Sequence, residues 1–488
     1  MKTIQPPAEA ADPDAAAIAP LRQADLPART RAFWKMTGPG AVLVGLSIGA
    51  GEIVVWPRIA AQCGATMVWA AVAGVFLQMW VNFEVGRWTI ATGESAYTGM
   101  ARVWRGFAVA FIAFNFFGWF FPGWARVSGT ALKALVMQDP RHPSPDWLWT
   151  GITFVLVALV LFGPRRIYGA VEKLVSALVV IVTIGLVIIA IKVGTWESLV
   201  DMGRGLINFG YKDPAYSGKE LFIAMVFAGA GGTANLFYGF YLRDKRIGMG
   251  GRVPVLVNPF RKREEAASVG AGFIYPETEE NRRRFRDWFN YVRLDQVMYF
   301  WLLNTFTMLL FIYGALVVLH PRGIVPADGT LIWDEALILD QLMGHAGRYL
   351  FLLIGLATLF STQLTLVDGV SRSMADILHG TFRFGRRIGE STWYAGWAWF
   401  MMLFGVVITF LLERGGVSGL AFVFNAAYVG GFAMAVYVPL MLYINLRYLP
   451  PSARPGWVHI AMMSIASVVY VGFALYCVWF ELHARGML

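Results

Sequence analysis

Long apolar stretches, each followed by a short run of glycine, proline or charged residues, recur along the chain from Gly40 to its C-terminus. A helix needs about 20 apolar residues to cross a bilayer, so this pattern predicts eleven membrane-spanning helices. The predicted spans, numbered one to eleven, are 40–62, 65–90, 107–136, 147–163, 172–193, 220–242, 294–319, 348–371, 393–412, 417–446 and 457–482. The sequence therefore predicts an all-α polytopic membrane protein.

Two segments lie outside this pattern. Residues 1–35 are rich in Ala, Pro and Asp and lack the apolar run of a signal peptide, which predicts a disordered cytoplasmic tail. Residues 36–488 are expected to form one transmembrane domain. Within it, residues 243–293 mix bases with glutamates, which is typical of a solvated, partly helical cytoplasmic loop. A regulatory or lipid-contacting role for this loop is the alternative.

Composition and charge agree with a chain that is solvated by lipid. Of the 488 residues, 57% are hydrophobic and only 15% are charged. The net charge of +10 does not indicate a nucleic-acid partner, because the basic residues sit in short loops between spans. With the N-terminus in the cytoplasm, 29 of the 41 Lys and Arg lie on the cytoplasmic side and 10 outside. The positive-inside rule then predicts a bacterial inner-membrane protein with its C-terminus outside.

Catalytic and cofactor motifs are not recognisable. The two cysteines, Cys63 and Cys477, lie at or inside apolar spans without metal-ligand spacing. The sequence contains no nucleophile-and-base set and no nucleotide loop, so an enzyme is not expected. A channel or sensor is disfavoured because nothing resembles a selectivity filter. We expect a monomer in lipid that handles an ion or small molecule, with no cofactor beyond a substrate or coupling cation.

Spans one and six each contain a glycine cluster near mid-membrane, Gly45–Glu52 and Gly229–Asn235. Clustered glycines destabilise a helix, and non-helical backbone at that depth survives only where protein or a cavity satisfies it. Glycine can also serve close helix packing, which is the alternative interpretation. Because the clusters lie five spans apart and each holds a polar residue, the pattern favours two broken helices around a transport site.

Several short motifs resemble the Nramp family of metal-ion transporters, members of the APC superfamily with the LeuT fold. These motifs are Gly38-Pro39-Gly40, Ile90-Ala-Thr-Gly93, Arg126-Val-Ser-Gly129-Thr-Ala-Leu, Glu172-Lys-Leu-Val and Asn235. The resemblance implies two inverted repeats of five spans, about 38–193 and 220–446, with spans one and six broken. The helix 457–482 would be additional. It also implies secondary active transport by alternating access.

The metal site of the family is altered in this chain. Where the family has Asp-Pro-Gly-Asn in span one, this chain has Gly49-Ala50-Gly51-Glu52, and Met-Pro-His-Asn in span six is replaced by Gly232-Thr233-Ala234-Asn235. The loss of the thioether removes a ligand that favours soft and borderline transition metals. We therefore expect a harder, hydrated divalent cation such as magnesium rather than manganese or iron. The alternative is a LeuT-fold transporter of a small organic solute that has lost metal transport.

Glu52 is the first candidate ligand, because a carboxylate at the bilayer centre costs about 2.5–3.5 kcal/mol on insertion scales. Its alternative role is to cap the second half of span one. Arg126 could pair with Glu52, contact an anionic group of a solute, or extend toward the headgroups. The substrate site is expected to comprise Gly49, Glu52, Gly229, Gly232, Asn235 and Arg126, with Glu52 and Asn235 as metal ligands.

A coupling-ion site is expected in span eight, at Ser361, Thr362 and Thr365. In LeuT-fold relatives this region holds a sodium ion together with carbonyls of span one, and oxygen ligands suit a hard cation. Hydroxyls that bond carbonyls of their own helix are the alternative. The acidic residues and histidine that the family uses for protons are replaced here by Gly49, Arg126 and Ala234. Sodium-coupled or uncoupled transport is therefore expected.

Overall fold

A computed structural model describes residues 18–30, 32–164, 167–260, 272–327, 330–416 and 419–484. The spans are, in chain order, Pro39–Ser47 with Trp56–Cys63, Val68–Thr92, Gly106–Trp119 with Gly123–Met137, Asp146–Phe162, Ile167–Val193, Gly218–Val226 with Phe237–Asp244, Glu279–Arg322, His345–Thr381, Glu390–Glu413, Gly419–Tyr448 and Trp457–Ala484. We call the side of the membrane that carries residues 18–35 the N-terminal side, and the opposite side the far side.

Short elements connect the spans. Three further α-helices are Ala96–Val103, Trp196–Ile207 and Leu331–Met343. Single 3₁₀ turns are Phe33–Lys35, Gly248–Arg252, Phe384–Arg387 and Pro451–Ala453, and two-residue strands are Arg22–Gln23 and Phe273–Ile274. Widened, π-helical turns occur within span one at Ile48–Glu52 and within span seven at Gln296–Leu303 and Ala315–Leu319.

The prediction of eleven spans is confirmed. Eight of the described helices are long and apolar enough to cross a bilayer alone. Span four is shorter, with 17 residues, which at 1.5 Å per residue is about 26 Å. Spans one and six are each two short helices separated by backbone that is not α-helical. The protein is therefore an all-α bundle with two broken spans.

The two breaks have different local causes. In span one the helix Pro39–Ser47 widens into the π-helical turn Ile48–Glu52, and Pro57 then starts the second half near its N-terminus, where its missing N–H costs nothing. In span six, Gly231 and Gly232 have φ values of 73° and 50°. Because side-chain-bearing residues rarely adopt positive φ, these glycines allow the chain to leave one half-helix and enter the next.

Span eight is the central column of the bundle. Its 37 residues pack against spans one, three, five and nine and against the helix Leu331–Met343. From Phe351 to Thr381 most of its side chains are buried. Span eight therefore brings its polar residues into contact with the broken part of span one.

The disorder expected for residues 1–35 does not hold for the described part of that segment. Strand Arg22–Gln23 pairs in parallel with Phe273–Ile274. Leu26 is fully buried, and its N–H donates to Asn281 Oδ1 at 3.0 Å. These partners lie in the 243–293 loop and at the start of span seven, so they could not be recognised from the local composition of the segment. Residues 1–17 lie outside the described residues.

We expect the Leu26→Asp substitution to release residues 22–26 from the loop, because it places a charge in a fully buried apolar position. Losing the burial of one leucine costs about 1.5–3 kcal/mol, which corresponds to a roughly tenfold to hundredfold increase in local opening. Hydrogen exchange at residues 22–26 and 273–274 measures this, with exposed Gln23→Ser as the control. Unchanged exchange in Leu26→Asp would contradict the observed docking.

Candidate substrate site

The broken segments of spans one and six touch each other in the middle of the bundle. At Gly51 a Cβ atom would lie 1.5 Å from the carbonyl oxygen of Phe227, so this backbone contact requires glycine. At Gly49 a Cβ atom would lie 2.3 Å from Thr362 Oγ1 of span eight. Spans one, six and eight therefore meet at this point with no room for side chains between them.

Glu52 is the last residue of the widened turn in span one and has no exposed surface. Within the described part of the chain, neither carboxylate oxygen has a hydrogen-bond partner. The Thr307 hydroxyl of span seven lies beside the carboxylate, but it is also 3.0 Å and 3.1 Å from the carbonyl oxygens of Leu303 and Asn304. An ionised carboxylate in such a place is strongly destabilising, so Glu52 requires a proton or a bound cation.

Asn304 is a residue of this site that the sequence analysis missed. It lies one turn before Thr307 in span seven, and its Nδ2 donates to the carbonyl oxygen of Ala228 in the break of span six at 3.1 Å. Its Oδ1 is buried and has no partner among the described residues. Asn304 thus joins the surroundings of Glu52 to span six and leaves one oxygen available. The spacing of Asn304 and Thr307, on one face of an apolar helix, is the signal that could have identified it.

Asn235 faces spans two and ten. Its Nδ2 donates to Gln78 Oε1 at 3.1 Å and to the Tyr437 hydroxyl at 3.2 Å. Its own Oδ1 is buried and unpartnered within the residues that the structure describes. Because Glu52 faces span seven, the two predicted metal ligands have different neighbours. Across the described ranges, no group of three or more His, Cys, Asp or Glu side chains could hold a metal ion.

Gln78 of span two, which the sequence analysis also missed, supports the break in span six. Its Oε1 accepts from the Gly231 N–H at 3.0 Å as well as from Asn235. Its Nε2 donates to the carbonyl oxygens of Met225 and Val226 at 3.2 Å and 2.9 Å. One amide side chain therefore satisfies backbone groups that the broken helix leaves without helical partners.

The predicted site glycines of span six are enclosed. At Gly229 a Cβ atom would lie 2.5 Å from Gln78 Oε1. At Gly232 it would lie 2.8 Å from the Cα of Gly430 in span ten and 3.2 Å from the Trp119 ring. Both positions permit close approach of neighbouring spans, and larger side chains there would force the spans apart.

Aromatic side chains of span three cover the junction. Trp124 Nε1 donates to the carbonyl oxygen of Gly49 at 3.1 Å, and its ring lies 5.4 Å from that of Phe227. Trp119 Nε1 donates to Thr233 Oγ1 at 2.7 Å. Trp119 and Trp124 are buried and lie next to the candidate site.

Arg126 does not pair with Glu52. It is nearly buried, and its guanidinium lies 3.5 Å from the Asp146 carboxylate at the start of span four, which also binds Lys133 at 3.2 Å. In this conformation Arg126 therefore binds Asp146 and does not pair with the candidate ligand Glu52, which is one of the roles expected for it in the substrate site. The acidic partner follows a loop between spans three and four, and its distance from Arg126 could not be inferred from helical spacing.

Two of the three predicted coupling-ion residues reach span one. Ser361 Oγ lies 2.9 Å from the Gly45 carbonyl oxygen and 2.8 Å from that of Thr358. Thr362 Oγ1 lies 3.2 Å and 2.8 Å from the carbonyl oxygens of Gly45 and Leu46. Thr365 instead donates to the Ser361 carbonyl of its own helix at 2.8 Å. The alternative interpretation, a hydroxyl that bonds its own helix, therefore applies to Thr365.

Ion pairs hold the N-terminal side closed. At the end of span six, Arg243 pairs with Asp376 of span eight at 2.8 Å, and the next residue, Asp244, pairs with Arg372 at 2.6 Å. Arg372 also binds Asp368 at 2.9 Å. These alternating charges fasten span six to span eight.

The far side is closed by contacts to backbone carbonyls. Arg58 donates to Pro326 at 3.3 Å, and His320 Nδ1 lies 3.0 Å from the carbonyl oxygen of Ala61. Because Glu52, Asn235 and Thr362 have no exposed surface, the candidate site is occluded from both sides in this conformation.

Two broken spans that meet around a buried carboxylate, closed on both sides, define a membrane transporter of the alternating-access class. The family model described as natural resistance-associated macrophage protein-like (Nramp) matches residues 41–480. The chain therefore belongs to the Nramp family, whose members are transporters and not enzymes. No curated protein sequence matches the chain.

Solved structures support the same fold. The chain is similar to the Eremococcus coleocola manganese transporter in complex with an aromatic bis-isothiourea substituted compound, with 15% identity, a TM-score of 0.65, and coverage of 92% of this chain and 87% of that chain. It is also similar to MhsT in complex with L-phenylalanine, with 12% identity, a TM-score of 0.51, and coverage of 90% and 97%. The predicted LeuT-like fold is thus confirmed.

We expect Gln78→Leu to destabilise the protein. The substitution leaves the Gly231 N–H without its acceptor and removes one of the two acceptors of the Asn235 amide, and a buried unsatisfied group costs about 1–3 kcal/mol. Thermal unfolding of the purified protein in detergent measures the loss as a lower Tm. The control is Asn425→Leu, an exposed span-ten amide that donates to a carbonyl of span three. Equal Tm values for Gln78→Leu and the wild type would contradict the support that we assign to Gln78.

Proposed function

We propose that the protein is a secondary active transporter of a hard cation and that Glu52 binds this cation. The observation that carries the proposal is a fully buried carboxylate, without hydrogen-bond partners among the described residues, at the junction of the two broken spans. A bound cation would neutralise Glu52 in the occluded state. A proton on the Glu52 carboxylate would also neutralise it, but this would not move any substrate.

The ligand atoms that we propose in addition to the Glu52 carboxylate are oxygens. Asn304 Oδ1 and Asn235 Oδ1 are buried and, within the described ranges, unpartnered. The carbonyls around Gly49 and Gly229 complete the set that we propose. One carboxylate with neutral oxygens suits a cation that keeps part of its water, such as magnesium, which dehydrates reluctantly. Gly232 stands where relatives carry a thioether, which argues against manganese and iron.

A second cation site is proposed where span eight meets span one. The Ser361 hydroxyl lies within hydrogen-bond distance of the Gly45 and Thr358 carbonyl oxygens, and the Thr362 hydroxyl lies within that distance of the Gly45 and Leu46 carbonyl oxygens. A sodium ion would be bound by the carbonyl oxygens and by the oxygens of the neutral hydroxyls, whose O–H groups would turn away from the carbonyls, because a hard cation prefers such ligands. We therefore propose sodium-coupled or uncoupled transport rather than proton-driven transport.

The charge distribution supports an orientation. We propose that the N-terminal side is the cytoplasmic side of a bacterial inner membrane, because the spans predicted from the sequence assign 29 of the 41 Lys and Arg to that side. Eleven spans then place the C-terminus outside. We propose a monomer as the transporting unit.

A small organic solute is the second candidate substrate. The observation in its favour is the aromatic lining of Trp119, Trp124 and Phe227, whose rings lie 5.4–6.3 Å apart next to the broken backbone. Such rings bind organic groups and cations. In this case Glu52 would pair with a positively charged end of the solute.

We expect Glu52→Gln to abolish transport while the protein stays folded, because it removes the charge and keeps the shape. Loss of a residue that only hydrogen-bonds a metal ligand weakens metal binding about 10–100-fold. Because Glu52 is the proposed ligand itself, we expect uptake into proteoliposomes to fall at least roughly 100-fold. Magnesium, manganese and calcium are assayed in parallel. Wild-type flux in Glu52→Gln would contradict the assignment, and no flux of any metal by the wild type would favour the organic solute.

Glu335→Gln is the matched control for this experiment. Glu335 is also fully buried and, among the described residues, has no hydrogen-bond partner, but it lies on the connecting helix Leu331–Met343. Burial, with a smaller contribution from Asp334, raises the pKa of its carboxyl well above the usual range. Because the protonated acid and glutamine are similar in charge and shape, we expect Glu335→Gln to keep wild-type flux.

Thr362→Val is expected to remove the sodium dependence of transport, because it deletes an oxygen that faces span one. Thr365→Val is the matched control, since the Thr365 hydroxyl bonds its own helix and its loss should leave sodium dependence unchanged. Uptake is compared in sodium and in choline, with a pH-sensitive dye inside the vesicles. Substrate-dependent acidification that ignores sodium would contradict the proposed coupling.

A further inference from the structure

The helix Trp196–Ile207, which joins spans five and six on the far side, exposes its apolar face. Trp196 is 80% exposed and Ile207 is 83% exposed, and Leu199 lies with them on the same face. The helix is well formed, because the Thr195 side chain accepts from the Ser198 N–H at 3.2 Å and caps its N-terminus. The exposed apolar face is therefore a property of a defined amphipathic helix.

The charged residues of the same helix lie on its other side and are open to water, because the side chains of Asp201 and Arg204 are 57% and 74% exposed. Ser198, Asp201 and Arg204 line a cavity of about 660 Å³ that also includes Cys63 and His320. The helix packs on the protein at Gly205, where a Cβ atom would lie 2.0 Å from the Ala65 carbonyl oxygen. A surface helix in water turns its apolar face inward. The apolar face of this helix points away from the protein, which indicates that this side of the helix does not contact water.

The apolar face continues the lipid-facing surface of span five. Ile184, Ile188 and Ile191 are exposed and lie along one side of that span, which ends at Val193. The helix begins three residues later, at Trp196. After the helix, Phe209 is also exposed. Exposed apolar residues thus lie on the membrane-spanning part of the chain and, after a short connection, on the helix.

We propose that the helix Trp196–Ile207 lies in the plane of the lipid–water interface on the far side, with its apolar face among the lipid chains. Its partner is therefore the phospholipid surface. The helix carries Glu197 and Asp201 against a single base, Arg204, and so lacks the basic face that attracts anionic headgroups. Binding depends on apolar burial and is the same in neutral and anionic membranes.

This lipid contact reaches the outer half of span one through the turn that joins spans one and two. Asn208 Nδ2 donates to the Thr66 carbonyl oxygen at 3.4 Å, and Trp69 Nε1 donates to the Tyr211 carbonyl oxygen at 2.9 Å. The rings of Trp69 and Phe209 lie 4.8 Å apart. The helix thereby holds the end of a broken span at a fixed depth in the membrane.

Spin labels on the two faces of the helix test the proposal. Ile207→Cys places a label on the apolar face, and Glu197→Cys is the matched control on the polar face. Native Cys63 and Cys477 are buried, and their reaction is measured in the unsubstituted chain. The full chain is reconstituted in phosphatidylcholine vesicles with and without phosphatidylglycerol, and collision with oxygen or a water-soluble nickel chelate is compared.

We expect the Ile207 label to collide with oxygen and to be shielded from the nickel chelate, at a depth of about 5–10 Å below the headgroups, equally in both vesicles. The Glu197 label should collide with the chelate. Equal exposure of both labels to the chelate would overturn the proposal. Spin–spin broadening between Ile207 labels of two chains would also overturn it and would identify a second copy as the partner. The measurement does not depend on which solute the protein transports.

Discussion

A backbone polar group in the middle of a membrane has no water to bind, and this constraint determines how the two broken spans are built. The breaks survive because each lies against protein. Gly51 allows the backbone of span one to touch the Phe227 carbonyl, and Gln78 supplies donors and an acceptor to the broken part of span six. Without these partners a continuous helix would be the more stable state.

The same constraint, that buried polar groups need partners, sets Glu52 apart from its surroundings. Around it, side-chain amides, hydroxyls and an indole N–H bind the broken backbone, as Asn304 does at Ala228 and Trp124 at Gly49. In the described part of the chain the Glu52 carboxylate has no such partner. A surrounding structure that satisfies backbone groups and leaves one carboxylate without a partner is the arrangement expected of a site that is completed by a cation.

The sequence predicted the number of spans and the position of both breaks, because lipid imposes a length on every span and clustered glycines mark the places where helix fails. The sequence did not predict which neighbouring spans the individual side chains face. Asn235 and Glu52 sit on the two breaks as expected, yet they face different spans, and Arg126 binds Asp146. Rotation of a helix about its axis depends on packing with neighbours, which no single-sequence pattern contains.

Contacts between distant segments explain the other differences. Leu26 is held by Asn281, 255 residues away, so the composition of the N-terminal segment gave no sign of its docking. Thr362 reaches span one while Thr365, one turn later, bonds its own helix. Sequence spacing placed both hydroxyls near one face of span eight, but the position of span one decided which of them it meets.

The central claim is that a cation binds the Glu52 carboxylate, and infrared difference spectroscopy of the purified protein tests it most directly. Adding magnesium to the wild type should shift a carboxylate stretching band, because coordination changes the electron distribution over the two oxygens. The account predicts that this difference band is present in the wild type and absent in Glu52→Gln. The same band in both proteins, or none in the wild type with magnesium, manganese or calcium, would contradict the account.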